Sequence, residues 1–341
     1  MKTTARLFWF AFAVVVALTC AHFSPTQAQG LFQRKDAMPS LAAGTGWVNS
    51  APITTESLRG KVVLVDFWTY SCINCLRTLP YVKAWAQKYK DAGLAVVGVH
   101  TPEFGFEMRG PNVQRAVKDL AVDFPVVTDS KRALWQAFGV QGWPTMMLVD
   151  AQGKIRLRQL GEGGYEDTER AIQQLLRDAG AAPVPTGFVA PQGEGTQAAP
   201  GRQRTASNET YLGAAQRQGF RVTPAAKLSL NEWTLDGAWT VEDERVCLRQ
   251  GTGRIAYRFM ARDLHLVAGP AMDGETIPFR VRVDGRDPGP DKGFDTDAAG
   301  NGRADAHRLF QLVRQGKGSG ERLFEIEFAK PGVCAYAFTF G

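Results

Sequence analysis

Cysteine and histidine are scarce in this chain, with five and four respectively among 341 residues. Five cysteines are too few for a disulfide-built scaffold, so the core must come from apolar burial, and paired thiols are better suited to chemistry than to stapling. A strong charge of one sign is also missing. Forty basic against 34 acidic side chains leave a formal +6. Lys2 and Arg6 lie in a leader expected to be removed, so the mature excess falls by two, to +4. That is too weak for a dedicated nucleic-acid binder, and no nucleic-acid partner is expected. No internal repeat is visible. What remains is 44% hydrophobic and 22% charged, an ordinary globular composition with room for roughly two domains.

The start of the chain carries a targeting signal. Two positive charges in Met1 to Arg6 precede an apolar run from Leu7 to Ala21, and Thr26-Gln27-Ala28 follows with small residues. This reads as a secretory signal peptide over 1–28, cleaved near Ala28. A spanning helix needs about 20 apolar residues, so a retained anchor is the weaker reading. Thr19 is a poor residue before an acylated Cys20. The expected location is the periplasm or the cell exterior, where disulfides persist.

Residues 29–57 form an N-terminal extension with an opening hairpin, Gly46 to Ser50 and Pro52 to Leu58. Over 58–180 strand and helix patterns alternate. Lys61 to Phe67 is continuously apolar but for Asp66, as a central parallel strand would be. Helical spacing follows from Cys72 to Lys90, then strand 94–99, helix 111–120, strand 124–128, helix 131–138, strands 146–149 and 154–160, and helix 165–179. That is an α/β domain with a mixed central sheet. Residues 181–206, with four prolines among Gly, Ala and Gln, read as a linker. Beyond them, 207–341 breaks into short alternating runs at 228–230, 239–241, 245–249, 254–260, 264–267, 278–283, 309–313, 323–328 and 335–340. Such a pattern without helices predicts an all-β sandwich.

Cys72-Ile73-Asn74-Cys75 stands after the buried strand and at the start of a helix, the context that makes this spacing informative. Residues three apart on a helix have Cβ atoms about 5–6 Å apart, and a disulfide needs Cα atoms about 4.4–6.8 Å apart. One helical turn therefore holds either redox state. The first thiol caps the helix, where unpaired N–H groups and the positive dipole end favour a thiolate. Cys72 is thus the expected nucleophile and Cys75, one turn deeper, the resolving thiol. Asp66, desolvated on its apolar strand, is the candidate proton acceptor. Half of a zinc site is the alternative, but a second ligand pair is not visible, since His100, His265 and His307 are scattered and Cys247 and Cys334 stand apart. A structural disulfide without turnover is the other alternative. No cofactor is expected besides the redox-active Cys72–Cys75 pair itself.

Val65-Asp-Phe-Trp68, the CINC motif, Pro80, and Trp143-Pro144-Thr145 before a strand resemble the thioredoxin fold. The resemblance implies a cis Trp143–Pro144 bond facing the dithiol, with neighbouring backbone that pairs with substrate as an added strand. More closely, Phe67 to Pro80, Gly98 to Phe104, Gly161 to Glu169, Glu209 to Gly213 and Ala337 to Gly341 resemble the periplasmic domain of DipZ-type proteins, a branch of the TlpA-like and redoxin group. This implies a thioredoxin-like domain followed by a jelly roll similar to carbohydrate-binding modules. It also implies exchange with disulfide-containing exported proteins, in the reducing direction. The integral segment of that family is not seen here, so a separate CcdA-like or DsbD-like membrane electron donor is the implied partner.

Around the motif, Trp68 and Tyr70 are candidates for an apolar rim that receives substrate, beside Trp143, Pro144 and Thr145. Glu103 is a candidate proton relay, and His100 reads as a hydrogen-bonded core residue. Cys247 and Cys334 are candidates for a structural disulfide. Trp233, Trp239 and Tyr257 could stack on the rings of a glycan, although strand aromatics in a sandwich are core by default. Asp295, Asp297, Asn301 and Asp305 suggest a calcium loop, but Ala299 and Ala306 occupy ligand positions, which favours a polar turn. Three functions compete. The first is thiol-disulfide exchange. The second is thiol peroxidase activity, whose Pro-x-x-x-Thr-x-x-Cys motif is broken by Val65. The third is a glycan- or partner-binding module with structural thiols.

Overall fold

The computed structural model describes residues 36–201, 205–316, 318 and 320–341. The leader, its cleavage site near Ala28 and Cys20 lie outside the described residues. Ala37–Gly341 forms one compact unit. Its first half contains β1 (Gly46–Val48), β2 (Val62–Trp68), α1 (Ile73–Lys88), β3 (Leu94–His100), α2 (Gly110–Asp119), β4 (Val126–Thr128), α3 (Ala133–Phe138), β5 (Thr145–Val149), β6 (Ile155–Leu160) and α4 (Tyr165–Asp178). They build one sheet in the order β1-β4-β3-β2-β5-β6. The β2–β3 and β3–β4 pairs are parallel, and β5, β6 and β1 run antiparallel to their neighbours. This is the thioredoxin-like mixed sheet that the sequence predicts.

All seven residues of β2 are buried, because both faces of the sheet are covered. Successive side chains alternate between faces. Val62, Leu64 and Trp68 join the core beneath α1, with Leu76, Leu79 and Val82. Val63, Val65 and Phe67 join the opposite core, with Leu134 and Phe138 of α3. The same parity turns Asp66 toward α1.

The opening hairpin does not form. Glu56–Leu58 is a single 3-10 turn, and β1 instead pairs with the edge of β4, Trp47 opposite Val127. Asn49 supplies the reason: at φ 65° it turns the chain, and its amide donates to the carbonyls of Val122 and Phe124 at 2.7 and 3.2 Å. The predicted linker is not free either. Val189 N–H donates to Glu169 at 2.8 Å, and the carbonyl of Gly195, in the 3-10 turn Gly195–Gln197, accepts from Gln311 at 3.3 Å. Around Val189 and Gly195 the segment is a packed strap.

The second half is all β: β7 (Thr210–Tyr211), β8 (Trp233–Val241), β9 (Val246–Met260), β10 (Asp263–Pro270), β11 (Ile277–Val283), β12 (Asn301–Ala304), β13 (Arg308–Arg314), β14 (Glu321–Phe328) and β15 (Val333–Phe340). They form one nine-stranded sheet, with the path β12-β11-β14-β9-β15-β10-β13. The sheet curls over its own core. Phe279 of β11 meets Phe310 of β13 edge-on at 6.2 Å, although these strands are far apart in the pairing order. The runs predicted at 245–249 and 254–260 fuse into the single strand β9, continuous through Gly251 at φ 63°. Leu228 to Leu230 is not a strand. Leu228 is buried there but leads out of a 3-10 turn.

The two halves share a core. Val267, Leu309, Tyr336 and Ala337 belong to the same buried cluster as α1. Beside it, Arg77 of α1 is buried and faces Glu162 at 3.4 Å and Asp263 of β10 at 3.8 Å. Asp263 also accepts from Arg262 at 2.6 Å and Arg314 at 2.8 Å, which offsets the cost of burying its charge. Among the described residues, no helix is long and apolar enough to cross a membrane.

Candidate active site

The parallel strands β2 and β3 end side by side, Trp68 opposite His100, and α1 starts just beyond. Cys72 is its N-cap, with extended backbone at φ −86° and ψ 118°, and its Sγ accepts from the N–H of Cys75 at 3.4 Å. One of the unpaired donors at a helix start is thereby satisfied by sulfur. Both thiols are unbonded. Cys72 is partly exposed and Cys75 is buried, the order of depth that the sequence reading expected of the two thiols. Burial pushes the Cys75 thiol well above its ordinary value, the neighbouring Cys72 adds to this, and the charge of Asp66 contributes in the same direction.

Asp66 is 2% exposed. Burial raises its carboxyl from 3.8 to about 7, and its Oδ1 has no hydrogen-bond partner. A buried carboxylate without partners is unfavourable. Here it leaves a carboxyl poised near neutrality, on the sheet face that α1 covers.

The cis peptide bond implied at Trp143–Pro144 is present. Trp143 is half-buried, donates to the carbonyl of Thr101 at 3.1 Å and lies under the Arg132 guanidinium. Pro144 and Thr145 are buried, and Thr145 Oγ1 donates to the carbonyl of Gly142 at 2.7 Å. Trp68 is not on a rim. It is 1% exposed, edge-on to His100 at 5.4 Å, and its indole crosses Gly98, where an added Cβ would come within 3.0 Å of Nε1. Tyr70 is also buried, stacked on His100 at 5.4 Å. Burial lowers His100 to about 3, so its ring is neutral at physiological pH; its Nε2 lies 3.4 Å from Thr69 Oγ1, and it is the hydrogen-bonded core residue expected.

Glu103 is placed at the joint between the halves. It accepts from Tyr211 of β7, which also reaches Glu209 at 3.3 Å. Burial, with the charges of Glu209 and Glu107, raises Glu103 from 4.5 to about 8. Its partners are these interface groups. Sequence reasoning missed Glu107. This fully buried carboxylate accepts from Ser71 Oγ at 2.6 Å, Ser71 N–H at 3.2 Å, Glu103 N–H at 2.7 Å and Phe104 N–H at 3.0 Å. It pins the turn directly before Cys72 to the loop after β3. No local signal marks it, because Ser71 and Glu107 are 36 residues apart.

Cys247 and Cys334 are opposite partners of β9 and β15 and are bonded to each other. Trp233 and Tyr257 are fully buried, so neither offers a ring to a sugar, and Trp239 is partly buried. In the would-be calcium loop, Asp297 accepts from Asn301 and Asp295 pairs with Arg308, as in a polar turn. Among the described residues, no cluster of His, Cys, Asp and Glu is arranged to hold a metal ion.

Comparison with known proteins adds to this geometry. The Redoxin family matches residues 33–176, and the thioredoxin-like C-terminal domain family matches 201–341. Protein DipZ of Mycobacterium bovis is 38% identical over 246 residues, which is 68% of this chain and 35% of that protein. The chain thus spans about a third of the length of that relative. Thiol-disulfide oxidoreductase YkuV of Bacillus subtilis is 30% identical over 142 residues, 41% of this chain and 95% of that protein. Among solved structures, a thioredoxin-like protein in the oxidised form is 29% identical, with a TM-score of 0.40, and covers 43% of this chain and 99% of that one.

Proposed function

This chain belongs to the thioredoxin-like thiol-disulfide oxidoreductases, in the DipZ-type arrangement of a Redoxin domain followed by a thioredoxin-like C-terminal domain, and we propose that it reduces disulfides of exported proteins in the periplasm or at the cell exterior. The observation that carries the mechanism is the graded pair on α1: a partly exposed Cys72 capping the helix over a buried Cys75, with buried, unpaired Asp66 on the sheet face beneath.

In this reading the Cys72 thiolate attacks one sulfur of a substrate disulfide, forms the mixed disulfide and releases the other sulfur as a thiolate. Asp66, as carboxylate, takes the Cys75 proton directly or through water. Cys75 then attacks the Cys72 sulfur, which frees the second substrate thiol and leaves a Cys72–Cys75 disulfide. Two electrons and two protons restore the dithiol. Trp143 and the cis-proline loop would receive substrate, while Trp68 supports the site from within the core. The reducing direction, and a CcdA-like or DsbD-like membrane protein as electron source, come from the DipZ-type resemblance. The apolar leader supports export.

Insulin reduction by the mature chain tests this, beside Cys72→Ser and a hydrogen peroxide assay. Reduction that disappears with Cys72 is the expected result. Peroxide turnover without disulfide exchange would favour the peroxidase, and activity in neither assay a binding module. The Cys75→Ser variant should hold substrates covalently on Cys72, and an empty trap with folded protein would remove the exchange mechanism.

A further inference from the structure

One short element joins the C-terminal half to the turn that carries the dithiol. After β3 the chain passes through a 3-10 turn, Gly105–Met108, in which Phe106 is 3% exposed. The Phe106 ring stacks on His307 at 4.9 Å and stands edge-on to Tyr336 at 4.8 Å, closer than it lies to Phe104 at 5.6 Å or Tyr70 at 6.0 Å. Both nearer partners belong to the C-terminal half. His307 directly precedes β13 and lies against Gly269 of β10, where an added Cβ would come within 2.5 Å of its ring. Tyr336 stands on β15 and is itself held by Arg245, which donates to its Oη at 3.1 Å.

The next residue of the turn holds the active site. Glu107 accepts from Ser71 Oγ at 2.6 Å and from Ser71 N–H at 3.2 Å, and Ser71 directly precedes Cys72. The turn before Cys72 has little of its own to fix it. Cys72 N–H reaches the carbonyl of Thr69 only at 3.4 Å, beyond the usual range of about 2.7–3.2 Å. The bond from Cys75 N–H to Cys72 Sγ, in turn, needs the extended backbone that Cys72 has as N-cap.

A four-residue 3-10 turn does not support itself either, so tertiary contacts decide where Glu107 stands. Within the first half, Asn112 fixes the Phe106 carbonyl at 2.9 Å. The ring is seated from the other half. Two surface links run the same way, Gly105 N–H to Glu244 at 3.0 Å and Arg109 to Asp273 at 2.9 Å, and being exposed they contribute little each.

We propose that the C-terminal half is a positioning element of the exchange site: His307 and Tyr336 seat Phe106, so that Glu107 beside it holds the Ser71–Cys72 turn in the geometry that caps α1. The proposal deepens the exchange reading above and rests on it. His307 and Tyr336 touch neither thiol; they act through Phe106 and Glu107.

The test uses Tyr336→Leu and His307→Ala, so that one misfolded variant still leaves the other, with Tyr336→Phe to restore the ring. Labelling of Cys72 by iodoacetamide is followed in the Cys75→Ser background, and kcat/KM is measured for insulin and for bis(hydroxyethyl) disulfide, which has no polypeptide. Labelling and both kcat/KM values should fall together by about threefold, and Tyr336→Phe should return them to wild type. Glu107→Gln combined with His307→Ala should fall no further than Glu107→Gln alone, because the two act in series. A folded variant that is less heat-stable yet labels at the wild-type rate would reduce the contact to a structural one and overturn the proposal. A fall on insulin alone, or additive losses in the combined variant, would overturn it too. Labelling requires no exchange, so wild-type protein that reduces neither disulfide would remove the exchange reading while the labelling rates still decide the positioning.

Discussion

Two cysteine pairs in one chain show how backbone context assigns opposite roles to the same two atoms. Cys72 and Cys75 lie three residues apart at a helix start, with one thiol at the surface and the other beneath it. Cys247 and Cys334 are separated by 87 residues, brought opposite each other on adjacent strands, and each is 1% exposed. In the proposed mechanism the first pair opens and closes within one turn of helix. The second is shut away from any attacking thiolate and closes a long loop, which restricts the unfolded chain. Cysteine count alone does not separate these roles. The surrounding backbone and access do.

The widest gap should appear on deletion. Cys72→Ser should lower insulin reduction by at least about a thousandfold, as removal of an attacking nucleophile does. Cys247→Ala with Cys334→Ala should leave turnover per folded molecule intact and cost about 2–5 kcal/mol of stability in urea unfolding. A folded double variant without exchange activity would break the comparison.

Asp66→Asn should separate function from stability at the first pair. Removal of the proton acceptor should slow the resolving step about a hundredfold, and stopped-flow measurement should lose the rise in rate through pH 7 that ionisation of Asp66 gives wild type. Stability should move the other way. The folded carboxyl sits at about 7 against 3.8 in the unfolded chain, so the unfolded state binds fewer protons between those values. Stability present below pH 3.8 is therefore lost as pH rises through 7, by about 4 kcal/mol in all. The variant should recover much of that at pH 8.

Glu107→Gln leaves a buried amide among four donors that all point at it. A loss of about 1–3 kcal/mol is expected, with a fewfold slower exchange because the turn before Cys72 loosens. A variant with wild-type kinetics would show that the turn holds itself. The smallest change belongs to Tyr211→Phe, about 1 kcal/mol, with insulin reduction unaltered. Glu103 there titrates at about 8 against 4.5, so its contribution is full below pH 4.5 and lost as pH rises through 8. Glu103→Gln should flatten that part of the stability profile.

Much of this was legible in order along the chain. The continuous apolar run of β2 announced a strand buried on both faces, and its one carboxylate pointed to a perturbed proton acceptor. The capping position of Cys72 followed from strand, turn and helix in sequence. Trp68 shows the limit. An aromatic at a strand end reads equally as rim or core, and only the missing side chain at Gly98, on the neighbouring strand, gives its indole room inside. The opening hairpin failed for a similar reason, since the free edge of β4 was a better partner for Gly46–Val48 than the next local segment.

Local spacing by itself therefore determined where the dithiol stands and which thiol lies nearer the surface, because one helical turn sets both the distance between the sulfurs and their unequal depth. Tertiary structure alone decided what surrounds them. Glu107 reaches Ser71, Cys334 meets Cys247, and the C-terminal sheet closes over α1 through contacts between residues far apart in the chain. Such contacts depend on strand register and on which apolar faces find each other, and no short stretch of sequence carries that information.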